Sequence, residues 1–300
     1  MENFYLVLIY LIIGALLRRI PAMPESSGIA FNMYVLYVAL PALILQNAPR
    51  LHFSSELLIP AITPWLLLIV VALLILALSK VLQWSSDVTG ALLIILPLGN
   101  TSFLGFPMTE ALFGPEAMPY AVVYDQVGSF IALATYATII AAIYSPSATK
   151  PTLKNIVVKI VSFPSFIALV IGLLLRDLGY SEFSQTLIDN LSATLVPVVM
   201  IAVGFGLTIN FSKSELSPLI SAMLIKLLLM PLLAAALWFS LGKSGMAVTI
   251  SIFQAAMPPM ISAGAIAIMA GLAPRLVSGI IGLGILFALI TLPITFTLLS

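Results

Sequence analysis

The stretch Leu96-Pro97-Leu98-Gly99-Asn100-Thr101-Ser102-Phe103-Leu104-Gly105-Phe106-Pro107 decides how this chain is read. It lies inside an apolar run long enough to cross a bilayer. Pro97 and Pro107 nevertheless lack the backbone donor that a helix interior needs, and Gly99 and Gly105 add backbone freedom, so the ladder is predicted to open near Asn100. Within a membrane an opened backbone is tolerated only where protein buries it or a water-filled cavity meets it. A broken span with Asn100, Thr101 and Ser102 at its break therefore reads as a binding site. A second interrupted stretch, Gln254-Ala-Ala-Met-Pro-Pro-Met-Ile-Ser262, lies in the other half of the chain.

Composition supports the membrane reading. With 62% of its 300 residues hydrophobic, 8% charged and a mean hydropathy of +1.21, the chain cannot furnish the polar surface of a water-soluble globule. It reads as an all-α polytopic membrane protein with membrane lipid as its surroundings. The net charge of +1, with no basic run and no aromatic-basic patch, gives no sign of a nucleic-acid partner. The absence of cysteine removes disulfides and thiolate chemistry, and the single histidine, His52, removes histidine clusters, so no metal and no cofactor is expected. His52 itself, near Arg50 and Glu56, reads as a solvated loop residue. No Ser-His or paired-Asp constellation falls in the apolar runs, so no catalytic residue and no enzyme activity is expected. Residues 1–17 have no basic region ahead of the apolar run and no cleavage pattern after it, and read as a retained first span.

Roughly 20 apolar residues cross the hydrocarbon core. On that rule spans fall near residues 3–20, 29–48, 57–79, 88–113 and 118–144, then near 156–175, 187–208, 216–241, 246–271 and 275–299. That predicts ten transmembrane helices, with the fourth and ninth broken. The polar stretch between the fifth and sixth divides the chain into a first five-helix repeat (1–144), a short cytoplasmic linker (145–155) and a second repeat (156–300). Landmarks recur at nearly one offset: Gly14 and Gly172 lie 158 residues apart, Pro41 and Pro197 156, Pro60 and Pro218 158, and Pro115 and Pro274 159. Because five is odd, the second repeat must cross the membrane in the opposite sense. A 5+5 inverted repeat with paired broken helices is the architecture of secondary transporters, with the site near the midplane.

Loop charge sets the expected orientation. One face carries Arg50, Arg176 and Lys243; the other carries Arg18, Arg19, Lys80, Lys150, Lys154, Lys159, Lys213 and Arg275. The second face reads as cytoplasmic, which puts both termini outside. Arg18 and Arg176, closing paired spans, read as interfacial anchors.

At a broken helix, the first turn of the second piece presents free N–H groups and the positive end of a macrodipole, suited to an anionic group. Thr101 and Ser102 fall there in one half. In the other, Pro258 or Pro259 is placed to start the second piece, since proline at the first helical position gives up only an unpaired donor, and Ser262 follows one turn on. Asn100 and Gln254 supply an amide from each side. The competing reading is that the prolines only kink these helices. Asp125, followed by Gln126, and Lys226 are ionisable or polar groups at depth, which usually face a partner or an aqueous cavity. At 1.5 Å per residue Asp125 would lie about 10 Å below one edge and Lys226 about 13 Å above the other, near enough in depth for the lysine to bridge. Asp125 and Gln126 then read as a proton or cation site and Lys226 as a counter-charge for an anion; a fixed ion pair or a snorkelling lysine is the alternative.

Over nearly its whole length the chain resembles the auxin efflux carrier superfamily, which includes the plant auxin carriers and many bacterial permeases assigned to organic acids. The resemblance rests on Ser27-Gly28-Ile29 leading to Leu40-Pro41-Ala42-Leu43, on Asn100-Thr101 with Gly105 and Pro107, on Leu112-Phe113-Gly114, on Gln254-Ala255-Ala256-Met257-Pro258, and on Leu292-Pro293-Ile294-Thr295. Plant carriers read Q-A-A-L-P at the ninth span and L-P-N-T with a later G-x-P at the fourth. The resemblance implies that spans 4 and 9 cross at their prolines and that Asn100 matches the family's substrate-contacting asparagine. It implies a fold similar to NhaA-type and bile-acid symporters. Helices 1, 2, 6 and 7 would form a dimerising scaffold, and helices 3–5 and 8–10 a moving transport domain. In this chain Leu98 and Gly99 separate Pro97 from Asn100, where plant carriers have the two adjacent, so the crossing point stays open. The short linker replaces a long hydrophilic loop, so control by phosphorylation there is not expected.

Together these readings predict a carrier of the cell membrane that moves a small organic anion by elevator-type alternating access. Its substrate site is expected at Pro97, Asn100, Thr101, Ser102, Gln254, Pro258, Pro259 and Ser262, with coupling to H+ or Na+ through Asp125, Gln126 and Lys226. A sodium-coupled symporter of the bile-acid type and a membrane sensor that binds without transporting are the alternatives.

Overall fold

A computed structural model describes residues 2–51, 54–145, 152–207 and 215–300. His52, Lys150, Lys213 and most of the expected linker lie outside the described residues. In chain order the helices are α1 (Glu2–Leu17), α2 (Ser27–Arg50), α3 (Ser55–Val81), α4 (Ser86–Ile95), α5 (Phe106–Phe113), α6 (Pro115–Tyr144) and α7 (Leu153–Val161). They continue with α8 (Pro164–Leu174), α9 (Glu182–Gly206), α10 (Leu216–Ser240), α11 (Met246–Ala255), α12 (Ile261–Met269) and α13 (Pro274–Leu299). Six of these, α2, α3, α6, α9, α10 and α13, are long and apolar enough to cross a membrane; the bent pair α7 and α8 makes a seventh if counted as one span.

The expected sixth span, 156–175, is not one rod. α7 and α8 meet at an angle of 61°. The cause is local: proline crowds the residue before it out of the helical region, and Phe163, ahead of Pro164, has φ −74 and ψ 126. The helix also begins at Leu153, so the polar linker ends earlier than residue 155.

Several long helices carry a widened π turn, and proline explains three of the five among the described residues. Val35–Ala39, Thr101–Gly105 and Ile225–Leu229 each end two residues before a proline, Pro41, Pro107 and Pro231. Proline cannot donate to the carbonyl four residues back, and its ring crowds that carbonyl. In all three cases that carbonyl (Tyr37, Phe103, Leu227) is the middle residue of the turn, and the extra residue relieves the clash. The other two, Tyr124–Ser129 and Leu133–Ala137, both lie in α6. In the first of these Gly128 receives Pro64 of α3, where a methyl group would overlap the proline ring.

By contact the chain divides into two compact units, residues 1–54, 102–122 and 158–207 in one and 55–101, 123–157 and 208–300 in the other. In the first, α1 and α9 cross at small residues: a methyl at Gly14 would strike the Ile201 carbonyl and one at Gly204 the Leu11 carbonyl. Such close backbone approach is how apolar helices gain dispersion energy in lipid, where burial gives no advantage. Arg18 at the end of α1 donates to the Leu207 carbonyl just past α9, at 2.8 Å, satisfying an end-of-helix acceptor. In the second unit Thr63 accepts from Trp238 Nε1 at 2.9 Å, and Trp65 Nε1 donates to the Val127 carbonyl at 3.2 Å, tying α3 to α10 and α6.

Candidate functional site

The helical ladder of α4 stops at Ile95, and Leu96 to Asn100 run without helix before the π turn at Thr101. α11 likewise stops at Ala255, and α12 does not begin until Ile261. The two interrupted stretches lie antiparallel, with Gly99 opposite Pro259. Asn100 N–H donates to the Pro258 carbonyl at 2.8 Å and Met260 N–H to the Leu98 carbonyl at 3.0 Å. Each break thus satisfies backbone groups of the other, which an opened helix in hydrocarbon requires.

The sequence placed Pro258 or Pro259 at the start of the second helical piece. The structure puts both in the extended crossing, and Met260, with ψ 127, precedes the helix. The bonding pattern gives the reason. Residues 99 and 259 form the wide, non-bonded pair of an antiparallel ladder, whose N–H groups point away from the partner strand. Proline at 259 therefore forfeits no ladder bond, while Pro258 contributes only its carbonyl.

Around this crossing the second unit gathers most of the residues expected from sequence. Pro97, Asn100, Thr101, Gln254, Pro258 and Pro259 are buried, and Ser102 and Ser262 are half-buried in the first turns beyond the breaks. Asn100 is 3% exposed, and its Nδ2 has no hydrogen-bond partner. Thr101 Oγ1 donates to Asp125 Oδ1 at 2.5 Å and Gln126 Nε2 to Asp125 Oδ2 at 2.7 Å; the Gln126 Oε1 is left without a partner. Asp125 is thus a carboxylate held by two side-chain donors, with its oxygens oriented by the π turn that carries it.

Lys226, 1% exposed, lies in the π turn of α10. Depth alone allowed it to reach Asp125. Instead its Nζ lies 3.3 Å from Met230 Sδ, and a methyl added to Gly99 would sit 3.3 Å from that same nitrogen. The lysine therefore brings a buried amine to the crossing itself, and Gly99 leaves it room.

The first unit holds a second polar cluster, away from the residues expected from sequence. A cavity of about 370 Å³ is lined by Tyr10, Gln46, Glu110, Asp189 and Ser192 among others. Gln46 is its hub, donating to Asp189 at 2.7 Å and accepting from Ser192 at 2.9 Å, and Gln185 donates to the same Asp189 oxygen at 2.8 Å. The signal was available, since Glu110 and Asp189 are carboxylates inside apolar runs, the same observation that singled out Asp125.

Long apolar helices, and two interrupted ones that pair backbone to backbone beside buried polar groups, define a multi-pass membrane protein. More narrowly, the chain belongs to the membrane transport protein family, that of the auxin efflux carriers, which it matches over residues 1–296. It is similar to an "Uncharacterized transporter" of Methanothermobacter thermautotrophicus, with 25% identity over 302 residues, 98% of this chain and 96% of that one. It is also similar to "Uncharacterized transporter MJ1031" of Methanocaldococcus jannaschii, with 24% identity over 268 residues, 86% of this chain and 85% of the relative. The protein is a membrane transporter and not an enzyme.

Proposed function

We propose that this transporter is a secondary active carrier that moves a small organic anion, of the class of malate, malonate or an indole acid, across the cell membrane by elevator-type alternating access. The observation that carries the reading is the chemistry at the crossing. Asn100 offers an unpaired, buried amide donor, Lys226 a buried amine, and α12 a first turn with no side-chain cap, all of which favour a carboxylate. The carboxylate would rest on Asn100, on the turn carrying Thr101 and Ser102 and on the uncapped first turn carrying Ser262, with Gln254 and the prolines shaping the walls.

In this reading the chain has ten spans in a 5+5 inverted repeat with both termini outside, and α4/α5 and α11/α12 are its broken helices. Helices from spans 1, 2, 6 and 7 form a homodimeric scaffold and the rest carry the substrate. The division into two units supports that sorting for spans 1, 2, 3, 6, 7, 8, 9 and 10, while the second limb of the fourth span groups with the first unit. Asp125 and Gln126 supply the coupling site: a carboxylate beside an unpaired carbonyl oxygen is an acceptor set for a proton or Na+.

The test is counterflow in proteoliposomes with organic acids first chosen by thermal shift on the purified protein. Exchange of labelled acid that is lost in Asn100→Ala supports the carrier. Binding without exchange would identify a sensor, and exchange unaffected by Asn100→Ala would move the site elsewhere. Uptake driven by an imposed sodium gradient would favour symport of the bile-acid type.

A further inference from the structure

α7 does not look like the first turns of a span. Its apolar residues Leu153, Ile156, Val157, Ile160 and Val161 recur at the spacing of one helix face, while Lys154, Asn155 and Lys159 fall within an arc of about 140° on the other, which Val158 alone interrupts. Ile156 and Ile160 are half-buried, but the rest of the apolar face is open: Leu153 is 77% exposed, and Val157 and Val161 about half exposed. The axis turns 61° before α8 begins. A nine-residue helix of this kind, too short to span, bent away from the apolar helix it precedes and carrying lysines on its polar side, has the properties of an element lying in the plane of the membrane interface.

We infer that α7 is an interfacial helix that rests on anionic lipid. Its apolar face enters the boundary between headgroups and acyl chains, continuous with the exposed apolar side of α8 at Ile167, Ile171 and Leu174, and Lys154 reaches lipid phosphates, with Lys159 adding positive charge on the same side. The lipid occupant follows from that continuity and from charge: lysine near an anionic surface is attracted to it, and the long stem lets the ammonium reach headgroup level. Neither the transport reading nor the crossing is needed for this, but the sixth span then begins at Pro164 rather than near residue 156.

The chain has no cysteine, so single cysteines at each position from 153 to 161 can carry a spin label with no background. Labelled protein in vesicles of phosphatidylcholine, with and without phosphatidylglycerol, is measured by power saturation with oxygen and with a soluble nickel chelate. The expected result is an oxygen-to-nickel ratio that oscillates with helical period, highest at 153 and 157 and lowest at 155 and 159. Phosphatidylglycerol should raise it at 157. That rise should vanish in Lys154→Gln/Lys159→Gln and persist in Lys154→Arg/Lys159→Arg, which separates loss of charge from loss of fold. A ratio climbing steadily along the helix would mean that α7 is part of an upright span. Labels at 153, 157 and 161 shielded from both reagents would mean that protein covers the face. Either result, or no response of the native sequence to phosphatidylglycerol, overturns the inference.

Discussion

Gly99 and Pro259 face each other across the point where two interrupted helices meet, in the one kind of antiparallel pair that makes no use of either residue's N–H. That relationship turns a proline in the middle of a membrane protein from a defect into a fitting residue. It also makes the crossing unusually specific about where a donor is wanted. Position 259 is buried and wants none; position 100 must have one.

Substitution should reveal this asymmetry. Pro259→Ala places a new N–H in a buried setting on the side away from Leu98 to Asn100, and should destabilise the protein by about 1–3 kcal/mol, the cost of an unmet donor. Asn100→Pro deletes the donor to the Pro258 carbonyl and should destabilise at least as much, while Asn100→Ala keeps that backbone bond. Melting curves in detergent distinguish the three. Equal stability of Pro259→Ala and the parent would show that another acceptor reaches the site.

Asn100→Ala should separate stability from transport. Its Nδ2 makes no hydrogen bond within the protein, so removing the amide relieves an unmet polar group and should leave melting unchanged or slightly raised. Substrate exchange should fall by tenfold or more, about the 1.4 kcal/mol or greater that a hydrogen bond to a charged ligand contributes. A variant that melts early and transports normally would reverse both expectations and make Asn100 structural.

How much of this could be read in the chain depends on where each cause lies. Proline and glycine act on their own neighbourhood, so the breaks at 96–100 and 256–260 were legible from Pro97, Gly99, Pro258 and Pro259. That these breaks bond to each other was not legible from spacing alone, because the partners lie some 160 residues apart. The bend between α7 and α8 is written in Phe163-Pro164, but a hydropathy window long enough to find spans runs straight across it. Lys226 shows a different loss. Its depth is set by its position along the span, whereas its direction around the helix depends on the π turn before Pro231, and that turn aims the amine at Gly99 and Met230. The π turn under Asp125 has no proline after it; a residue of a distant helix, Pro64, packs there against Gly128.

Lys226→Met should test the role of that amine. Burying an ammonium carries a desolvation cost that an apolar side chain of similar length avoids, and Met230 is already its neighbour. Melting should therefore hold or rise. Apparent affinity for an anionic substrate should drop by tenfold or more, while Lys226→Arg keeps part of it. Unaltered affinity in Lys226→Met would assign the lysine to structure alone.

Thr101 and Asp125 predict a graded series. Thr101→Ser keeps the hydroxyl that donates to Asp125 Oδ1 and should behave as the parent, whereas Thr101→Val removes it and should cost about 1.5–3 kcal/mol, the range for a hydrogen bond to a charged group. Asp125→Asn removes the acceptor charge, and uptake should lose its response to an imposed proton or sodium gradient while exchange continues. Gradient-driven uptake that survives in Asp125→Asn would take the coupling away from this carboxylate.

The crossing of α1 and α9 can be tested without touching the two interrupted stretches. At Gly14 and at Gly204 a methyl group would meet backbone carbonyls, those of Ile201 and Leu11, rather than the flexible end of a side chain. Backbone cannot rotate aside, so the helices must separate, and the dispersion attraction between them weakens along the whole crossing. Gly14→Ala and Gly204→Ala should each destabilise by about 1–3 kcal/mol, the range for overpacking in a tight interior. Because both glycines act on the same crossing, the double variant should lose less than the two losses added, since helices already parted by one methyl group give room to the other. Gly179→Ala, at a residue with φ +71 and nothing within 4 Å of the added methyl, would be strained by backbone conformation alone and should combine additively with either. Thermal unfolding of the single and paired variants measures all of these. Full additivity of Gly14→Ala with Gly204→Ala would show that the two approaches are independent and that α1 and α9 do not pack as one rigid crossing.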